Sequence, residues 1–148
     1  MYCIDASVVV NSFFPGEPHH LDSRELMKKI QTNQINVYLP EIILPEVSSA
    51  IARGTNDSDL AIEFVEQLLA IPTFNFIPID REISFLAAEL AAKHRLKGAD
   101  AIYVATAKYF NAPLITLDLH QKEKAHLCIN VVCGAPNYPP ITLQTIHR

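Results

Sequence analysis

The stretch 96–118 constrains the fold most. It contains a helix that is too apolar to lie on a protein surface, followed by a sharp break and a short apolar run. Small and apolar side chains dominate residues 101–107, so this helix should be nearly surrounded by other elements. Pro113 ends it, since proline cannot continue a helix and disfavours helical backbone in the residue before it. The apolar run that follows predicts a buried strand. One carboxylate, Asp100, opens the helix, and another, Asp118, stands just past the strand.

Strand-like and helix-like runs alternate along the rest of the chain. Strands are predicted at 2–5, 36–38, 74–78, 114–116 and 128–132. Besides the helix that Asp100 opens, helices are predicted over 6–13, 21–31, 45–53, 61–69, 83–91 and 119–126, with a turn over 54–57. Such alternation is typical of a parallel sheet covered on both faces. We therefore expect an α/β fold, a three-layer α/β/α sandwich with a central parallel sheet.

The length of 148 residues suits one domain, and no internal repeat or linker divides the chain. We expect a globular domain over 1–133 and an irregular, proline-containing tail over 134–148. A hydrophobic fraction of 49% and a charged fraction of 19% support a packed core rather than disorder. No apolar run approaches the roughly 20 residues that a membrane span requires, so no membrane association is expected.

Charge and cysteine content narrow the class of protein further. A net charge of −4 argues against a protein that coats nucleic acid non-specifically, which would normally be basic, but it suits a cluster of acids at a metal site. The three cysteines have no CxxC spacing. Because Cys3 and Cys128 lie in strand-like runs, we expect them to be small buried hydrophobic side chains. The N-terminus has no segment typical of export, so a reduced, cytoplasmic protein is expected.

Four acidic residues lie where predicted elements begin or end: Asp5, Glu46, Asp100 and Asp118. Open parallel sheets place their sites outside the carboxyl ends of the strands, so Asp5 and Asp118 should share one edge. Taken singly, each residue has an ordinary alternative. The three aspartates can cap helices, and Glu46 can complement a helix dipole from an exposed first turn. Independent caps have no reason to converge, so the joint placement favours a site.

The chemistry of such a cluster points to divalent cations. Two carboxylates about 4 Å apart repel by about 4 kcal/mol at an effective dielectric near 20, so four of them would protonate, splay apart or bind cations. Oxygen ligands alone favour Mg²⁺ or Mn²⁺, which can orient and activate a water and stabilise an oxygen leaving group on phosphorus. Ser7 and Thr116 are placed to support the carboxylates or bound waters, although capping or strand packing would also explain them.

Basic residues near these acids are candidates for contact with a phosphate backbone. Lys97 lies just before Asp100, and Arg53 closes the helix that carries Glu46. The alternative is that both merely stand near helix ends, where cations complement the dipole. His120, two residues past Asp118, is expected to be an exposed first-turn histidine, because no second histidine follows at the spacing of a metal-binding pair.

Three motifs together resemble a known family. They are Ile-Asp5-Ala-Ser7 after the first strand, Leu-Pro-Glu46-Val-Ser-Ser-Ala-Ile in a helix, and Asp100-Ala-Ile-Tyr-Val-Ala-Thr-Ala with Leu-Ile-Thr116-Leu-Asp118. In this order they resemble a PIN domain, and within that superfamily the VapC-like toxins of type II toxin–antitoxin pairs. The resemblance extends from about residue 2 to residue 132, nearly the whole chain.

The resemblance implies a Mg²⁺- or Mn²⁺-dependent endoribonuclease that hydrolyses RNA phosphodiester bonds. Asp5, Glu46, Asp100 and Asp118 would be its catalytic and metal-binding residues, called the acidic quartet below. It also implies a homodimer and, for a toxin, a small antitoxin protein whose C-terminal segment blocks the site.

Other functions compete with this interpretation. A phosphatase with an Asp5 nucleophile would need a second acid where Ser7 stands. A flap-type DNA nuclease would need DNA-clamping segments for which 148 residues leave little room. A PIN-like nuclease that processes RNA outside toxin–antitoxin systems remains open. So does a non-catalytic PIN-like module, which would tolerate Asp5→Asn apart from its stability.

Overall fold

The computed structural model describes residues 1–133. Within this range the sequence forms five strands separated by seven helices. In chain order these are β1 (Tyr2–Ile4), α1 (Ala6–Phe13), α2 (His20–Thr32), β2 (Val37–Pro40), α3 (Ile43–Thr55), α4 (Ser58–Leu69), β3 (Phe74–Ile77), α5 (Arg81–His94), α6 (Gly98–Tyr109), β4 (Leu114–Thr116), α7 (Leu119–Ala125) and β5 (Val131–Cys133). The predicted alternation of strands and helices is confirmed.

The strands form one parallel sheet in the order β3-β2-β1-β4-β5. All residues of β1 and β4 are buried, which requires cover on both faces of the sheet. Helices supply that cover. The α/β fold with a central parallel sheet is therefore as predicted.

The chain reverses its direction of travel across the sheet at β1. From β1 it builds outward to β2 and β3, and then returns to add β4 and β5 on the other side. Ile4 of β1 pairs with Ile115 of β4, and the amide of Asp5 donates to the Ile115 carbonyl at 2.9 Å. Ligands of open α/β sheets bind at such a reversal, beyond the carboxyl ends of the strands. Asp5 follows β1 directly and Asp118 lies two residues after the end of β4, so both lie at this reversal.

Helix α6 packs on the middle of the sheet, against β1, β2 and β4. Its residues 103–107 are at most 1% exposed, as the apolar composition predicted. On its outer side α6 packs against α5, while α1 packs with α2 and α3. Within residues 1–133, no helix is long and apolar enough to cross a membrane.

Helix α3 differs from the prediction at both ends. It begins at Ile43 rather than at Pro45, because a proline in the first turn removes an N–H that has no partner inside the helix. It runs through the predicted turn to Thr55 and ends where Asn56 adopts a left-handed conformation. Gly54 is helical and lies against Phe14, whose ring a Cβ at this position would meet at 2.5 Å.

Two shorter strands are also misplaced by the sequence patterns. β2 begins at Val37, one residue later than expected, and runs to Pro40. The last strand was expected at 128–132, but β5 spans Val131–Cys133. Cys128 therefore lies in a turn and not in a strand, where its thiol donates to the carbonyl of Ala125 at 3.2 Å. The tail expected over 134–148 lies outside the described residues, so the domain boundary stays a prediction.

Candidate active site

Asp5 is held at the carboxyl end of β1 by contacts from two other segments. It is the N-cap of α1, and its Oδ2 accepts from the Ser7 amide at 2.9 Å. The hydroxyl of Thr116 on β4 donates to the same oxygen at 3.4 Å. The residue is only 8% exposed. Asp5 therefore caps α1 and also lies at the sheet edge where β1 and β4 end.

Asp118 is fixed in the same manner one strand away. It is the N-cap of α7, and its Oδ1 accepts from the amides of His120 at 2.8 Å and Gln121 at 3.0 Å. Its own amide donates to the Thr116 hydroxyl at 3.0 Å, so one threonine contacts both aspartates. The hydroxyl of Ser7 accepts from the amide of Leu117 at 3.1 Å, which ties α1 to the end of β4. The roles of Ser7 and Thr116 beside a metal ion stay predictions.

Glu46 lies in the first turn of α3 and is partly buried. Its Oε2 accepts a hydrogen bond from the hydroxyl of Tyr103 at 2.6 Å. Tyr103 belongs to α6 and is 1% exposed, so the bond joins α3 to the helix that packs on the sheet. The carboxylate is thereby oriented by a buried donor instead of hanging free as a helix-dipole acid.

Asp100 lies in the first turn of α6, but it does not cap this helix. The N-cap position is Lys97, and no side chain there makes a capping bond. The capping alternative for Asp100 is therefore wrong. Its Oδ2 is buried and has no hydrogen-bond partner in the described part of the chain. A buried carboxylate oxygen without a donor is costly, so its retention favours a functional role.

The acids of the quartet influence one another's ionisation. Burial is the main reason why the pKa of Asp5 is raised, and the nearby charge of Asp118 raises it further. Burial likewise raises the pKa of Glu46, with added repulsion from Asp5 and Asp100. It also raises the pKa of Asp100, with repulsion from Asp118 and Asp5. Asp5, Asp100 and Asp118 thus influence one another, and Glu46 is influenced by Asp5 and Asp100. The role of these four residues as a catalytic and metal-binding set stays a prediction.

The donor set suits a hard divalent cation, because it consists of carboxylate oxygens, one of which is the buried, partnerless Oδ2 of Asp100. The side chains do not form a closed coordination shell. In residues 1–133 no group of three or more His, Cys, Asp or Glu side chains is close enough to hold a metal ion. Like charges in a low-dielectric site repel one another unless a cation lies between them.

The predicted basic residues are distributed unevenly around this edge. Lys97 and His120 both lie near enough to Asp100 to oppose the rise of its pKa. His120 is exposed in the first turn of α7, as expected. Arg53 lies at the exposed end of α3, where its guanidinium donates to the hydroxyl of Ser49. Lys97 thus borders the acids, whereas the contact recorded for Arg53 is within its own helix.

Sequence reasoning missed two residues at this edge, Tyr103 and Gln121. Tyr103 follows Asp100 by three residues, so both face the same side of α6, and a tyrosine hydroxyl within the mostly apolar run 101–107 was the available signal. Gln121 is 0% exposed and lies beside Asp5, but nothing in the polar sequence of α7 indicates its burial.

Comparison with known proteins supports one class. The family model described as "PIN domain" matches residues 2–127. A toxin–antitoxin complex from Klebsiella pneumoniae is 21% identical, with a TM-score of 0.64 over 89% of this chain and 96% of that one. FitAcB from Neisseria gonorrhoeae is 20% identical, with a TM-score of 0.69 over 93% and 100%. No curated protein matches the sequence.

A third structure, VapC20 from Mycobacterium tuberculosis, is described as a toxin that cleaves the sarcin–ricin loop. It is 14% identical, with a TM-score of 0.71 over 83% of this chain and 94% of that one. At such identities the likeness to solved structures establishes the fold alone. A parallel α/β domain with an acidic carboxyl edge is the class that the structure defines. Because the family model covers most of its length, the chain belongs to the PIN domain family.

Proposed function

We propose that this protein is a metal-dependent endoribonuclease whose acidic quartet binds Mg²⁺ or Mn²⁺. The observation that carries the proposal is the convergence of four carboxylates from four separate segments at the sheet reversal, where three of them have raised pKa values. Nucleases of the PIN family are generally metal-dependent hydrolases, which supports the same reaction class. A cluster of carboxylates that repel one another lowers the stability of the fold, and a purely structural domain would have no reason to contain one.

The residues of the site have distinct tasks in this reaction. A bound divalent ion would supply a polarised water and would neutralise charge on the leaving oxygen. Asp5 is oriented mainly by the Ser7 amide at 2.9 Å and more weakly by the Thr116 hydroxyl at 3.4 Å, so its carboxylate faces the sheet edge. Glu46 is oriented by Tyr103. Asp100 has a buried oxygen without a hydrogen-bond donor among the described residues, which leaves that oxygen available to the ion.

The positive charges near the acids would receive the RNA backbone. Lys97 stands at the start of α6 beside Asp100, and His120 approaches the same carboxylate. Arg53 would extend the contact along α3. Because the chain is acidic overall, Lys97 and Arg53 would steer the phosphates toward the quartet.

We further infer that the enzyme is the toxin of a toxin–antitoxin pair and acts as a homodimer. Structural neighbours were crystallised as toxin–antitoxin complexes, which supports a small protein partner. Such a partner would inhibit by covering the acidic edge, since access to that edge is needed for any RNA to reach the quartet. Co-purification of the protein with the product of an adjacent gene would test this part.

The cellular test is to map new RNA 5′ ends while the wild-type chain or a variant is expressed. Asp5→Asn removes a quartet charge but keeps the cap of α1, because asparagine also caps helices. Asp57→Asn is the matched control, since Asp57 is the N-cap of α4, at an exposed position. We expect discrete new ends and growth arrest with wild type and Asp57→Asn, but not with Asp5→Asn. Identical RNA ends with Asp5→Asn and wild type would contradict the proposal.

A further inference from the structure

Gln121 is the most unusual polar side chain among the described residues. It is the third residue of α7 and is 0% exposed. Neither its amide nitrogen nor its amide oxygen has a hydrogen-bond partner of ordinary geometry in residues 1–133. Burying an unsatisfied amide costs about 1–3 kcal/mol, and an apolar residue of similar size would avoid that cost. Packing alone therefore does not explain a glutamine here.

The position of Gln121 relates it to two members of the acidic quartet. Its backbone amide donates to Oδ1 of Asp118 at 3.0 Å, which fixes the first turn of α7 at the site. Its side chain lies beside Asp5 and lowers the pKa of that carboxyl, as an N–H donor does, against the larger effect of burial. One residue thus contacts Asp118 through its backbone and approaches Asp5 through its side chain.

We propose that Gln121 is a positioning residue of the metal site, whose buried side-chain amide donates to Asp5 and holds that carboxylate toward a bound divalent cation. The inference rests on the metal site proposed above. Glutamine suits this task because it donates a hydrogen bond without adding a charge to a repulsive cluster. Groups that orient metal-binding carboxylates typically change metal affinity by about 10- to 100-fold when they are removed.

A positioning role and a purely structural role of Gln121 predict different effects on metal-free stability and on the Mn²⁺ requirement. Gln121→Met keeps the length and buried volume of the side chain but removes the amide. If Gln121 is a positioning residue, the metal-free protein should lose little stability in Gln121→Met, because the approach of the amide to Asp5 lies outside ordinary hydrogen-bond geometry and the amide oxygen has no partner among the described residues. The Mn²⁺ concentration needed for half-maximal thermal stabilisation should rise by about tenfold or more. A purely structural glutamine would give lower metal-free stability and an unchanged Mn²⁺ requirement.

The experiment titrates Mn²⁺ into the metal-free, full-length protein and follows the melting temperature and the electron paramagnetic resonance signal of free Mn²⁺. Gln67→Met is the matched control, since Gln67 lies on the exposed side of α4 and contacts Glu63. Gln121→Glu is a second variant. It adds a fifth carboxylate, so we expect a lower metal-free melting temperature that Mn²⁺ restores.

The outcomes separate the two proposals. Wild-type protein that fails to bind Mn²⁺ would contradict the metal site itself and the inference with it. Wild type that binds, together with Gln121→Met binding equally well, would overturn the role of Gln121 alone. If Gln121→Met fails to fold, Gln121→Glu decides: an unchanged Mn²⁺ midpoint and unchanged metal-free stability would also overturn it.

Discussion

The hydroxyl of Tyr103 donates a 2.6 Å hydrogen bond to Glu46, which lies 57 residues earlier in the chain. The bond joins α6, packed on the sheet, to the first turn of α3. It stabilises the ionised form of Glu46 against burial and against the charges of Asp5 and Asp100. A buried tyrosine therefore sets both the direction and the charge of one carboxylate of the proposed site.

Tyr103→Phe removes a single oxygen atom, but we expect it to lower the rate of RNA cleavage substantially. Removing the hydroxyl leaves the partly buried Glu46 without its donor, which should cost about 1–3 kcal/mol of stability. The loss should also raise the pKa of Glu46 further and shift the acidic limb of the rate profile to higher pH. The measurements are urea unfolding and the pH dependence of RNA cleavage. Tyr109→Phe is the control, since Tyr109 is exposed on the same helix and its bond to Glu82 is long, at 3.4 Å.

Asp100→Asn should stabilise the metal-free protein. Asp100 caps nothing, its Oδ2 has no described partner, and Asp118 and Asp5 repel it. Neutralising it should raise the melting temperature in EDTA by about 2 °C or more while abolishing cleavage. Asp59→Asn is the control. Asp59 is an exposed acid in the first turn of α4, where its negative charge interacts favourably with the helix dipole. A large fall in the melting temperature of Asp100→Asn would show that this residue is structural instead.

The metal-free protein should become more stable as the pH falls from neutral toward the ordinary range of carboxyl pKa values. The folded-state pKa values of Asp5, Glu46 and Asp100 are raised, so the folded protein binds protons at a higher pH than the unfolded chain does. The stabilisation is complete below the ordinary carboxyl range and is lost as the pH rises through the raised values. Urea midpoints in EDTA measure this effect. Asp100→Asn should weaken it, and an equal pH dependence in that variant would refute the explanation.

Two substitutions of Asp118 should separate capping from catalysis. Asn caps almost as well as Asp, so Asp118→Asn should abolish cleavage with little loss of stability. Asp118→Ala should abolish cleavage and also cost about 1 kcal/mol, because the amides of His120 and Gln121 lose their acceptor. Asp57→Ala should likewise be less stable than Asp57→Asn, because Asp57 caps α4, but neither variant should change cleavage.

The sequence predicted those features of the structure that depend on neighbouring residues or on a general rule of parallel sheets. The burial of α6 followed from its composition, and the approach of Asp5 to Asp118 followed from the rule that parallel strands end at one edge. The start of α3 was misplaced, because a proline is compatible with several positions of a first turn. The start of β5 was misplaced because the apolar residues before it pack in a turn instead.

The missing parts of the site depend on contacts between distant segments. No periodicity shows that Tyr103 meets Glu46, since their pairing requires α3 and α6 to approach at the sheet edge. Gln121 lies in a short helix of mostly polar residues, and its burial appears only when α7 packs against β4 and β5. Capping and clustering also proved compatible in Asp5 and Asp118, which a choice between the two alternatives would have missed.

The most direct test of metal-dependent RNA cleavage at the acidic edge uses purified protein and end-labelled RNA. Cleavage is measured with Mg²⁺, with Mn²⁺ and with EDTA, for wild type, Asp5→Asn and the capping control Asp57→Asn. We predict cleavage by wild type and Asp57→Asn that requires either ion and stops with EDTA, and none by Asp5→Asn. Cleavage that persists in EDTA, or that Asp5→Asn retains at the wild-type rate, would contradict the proposed active site.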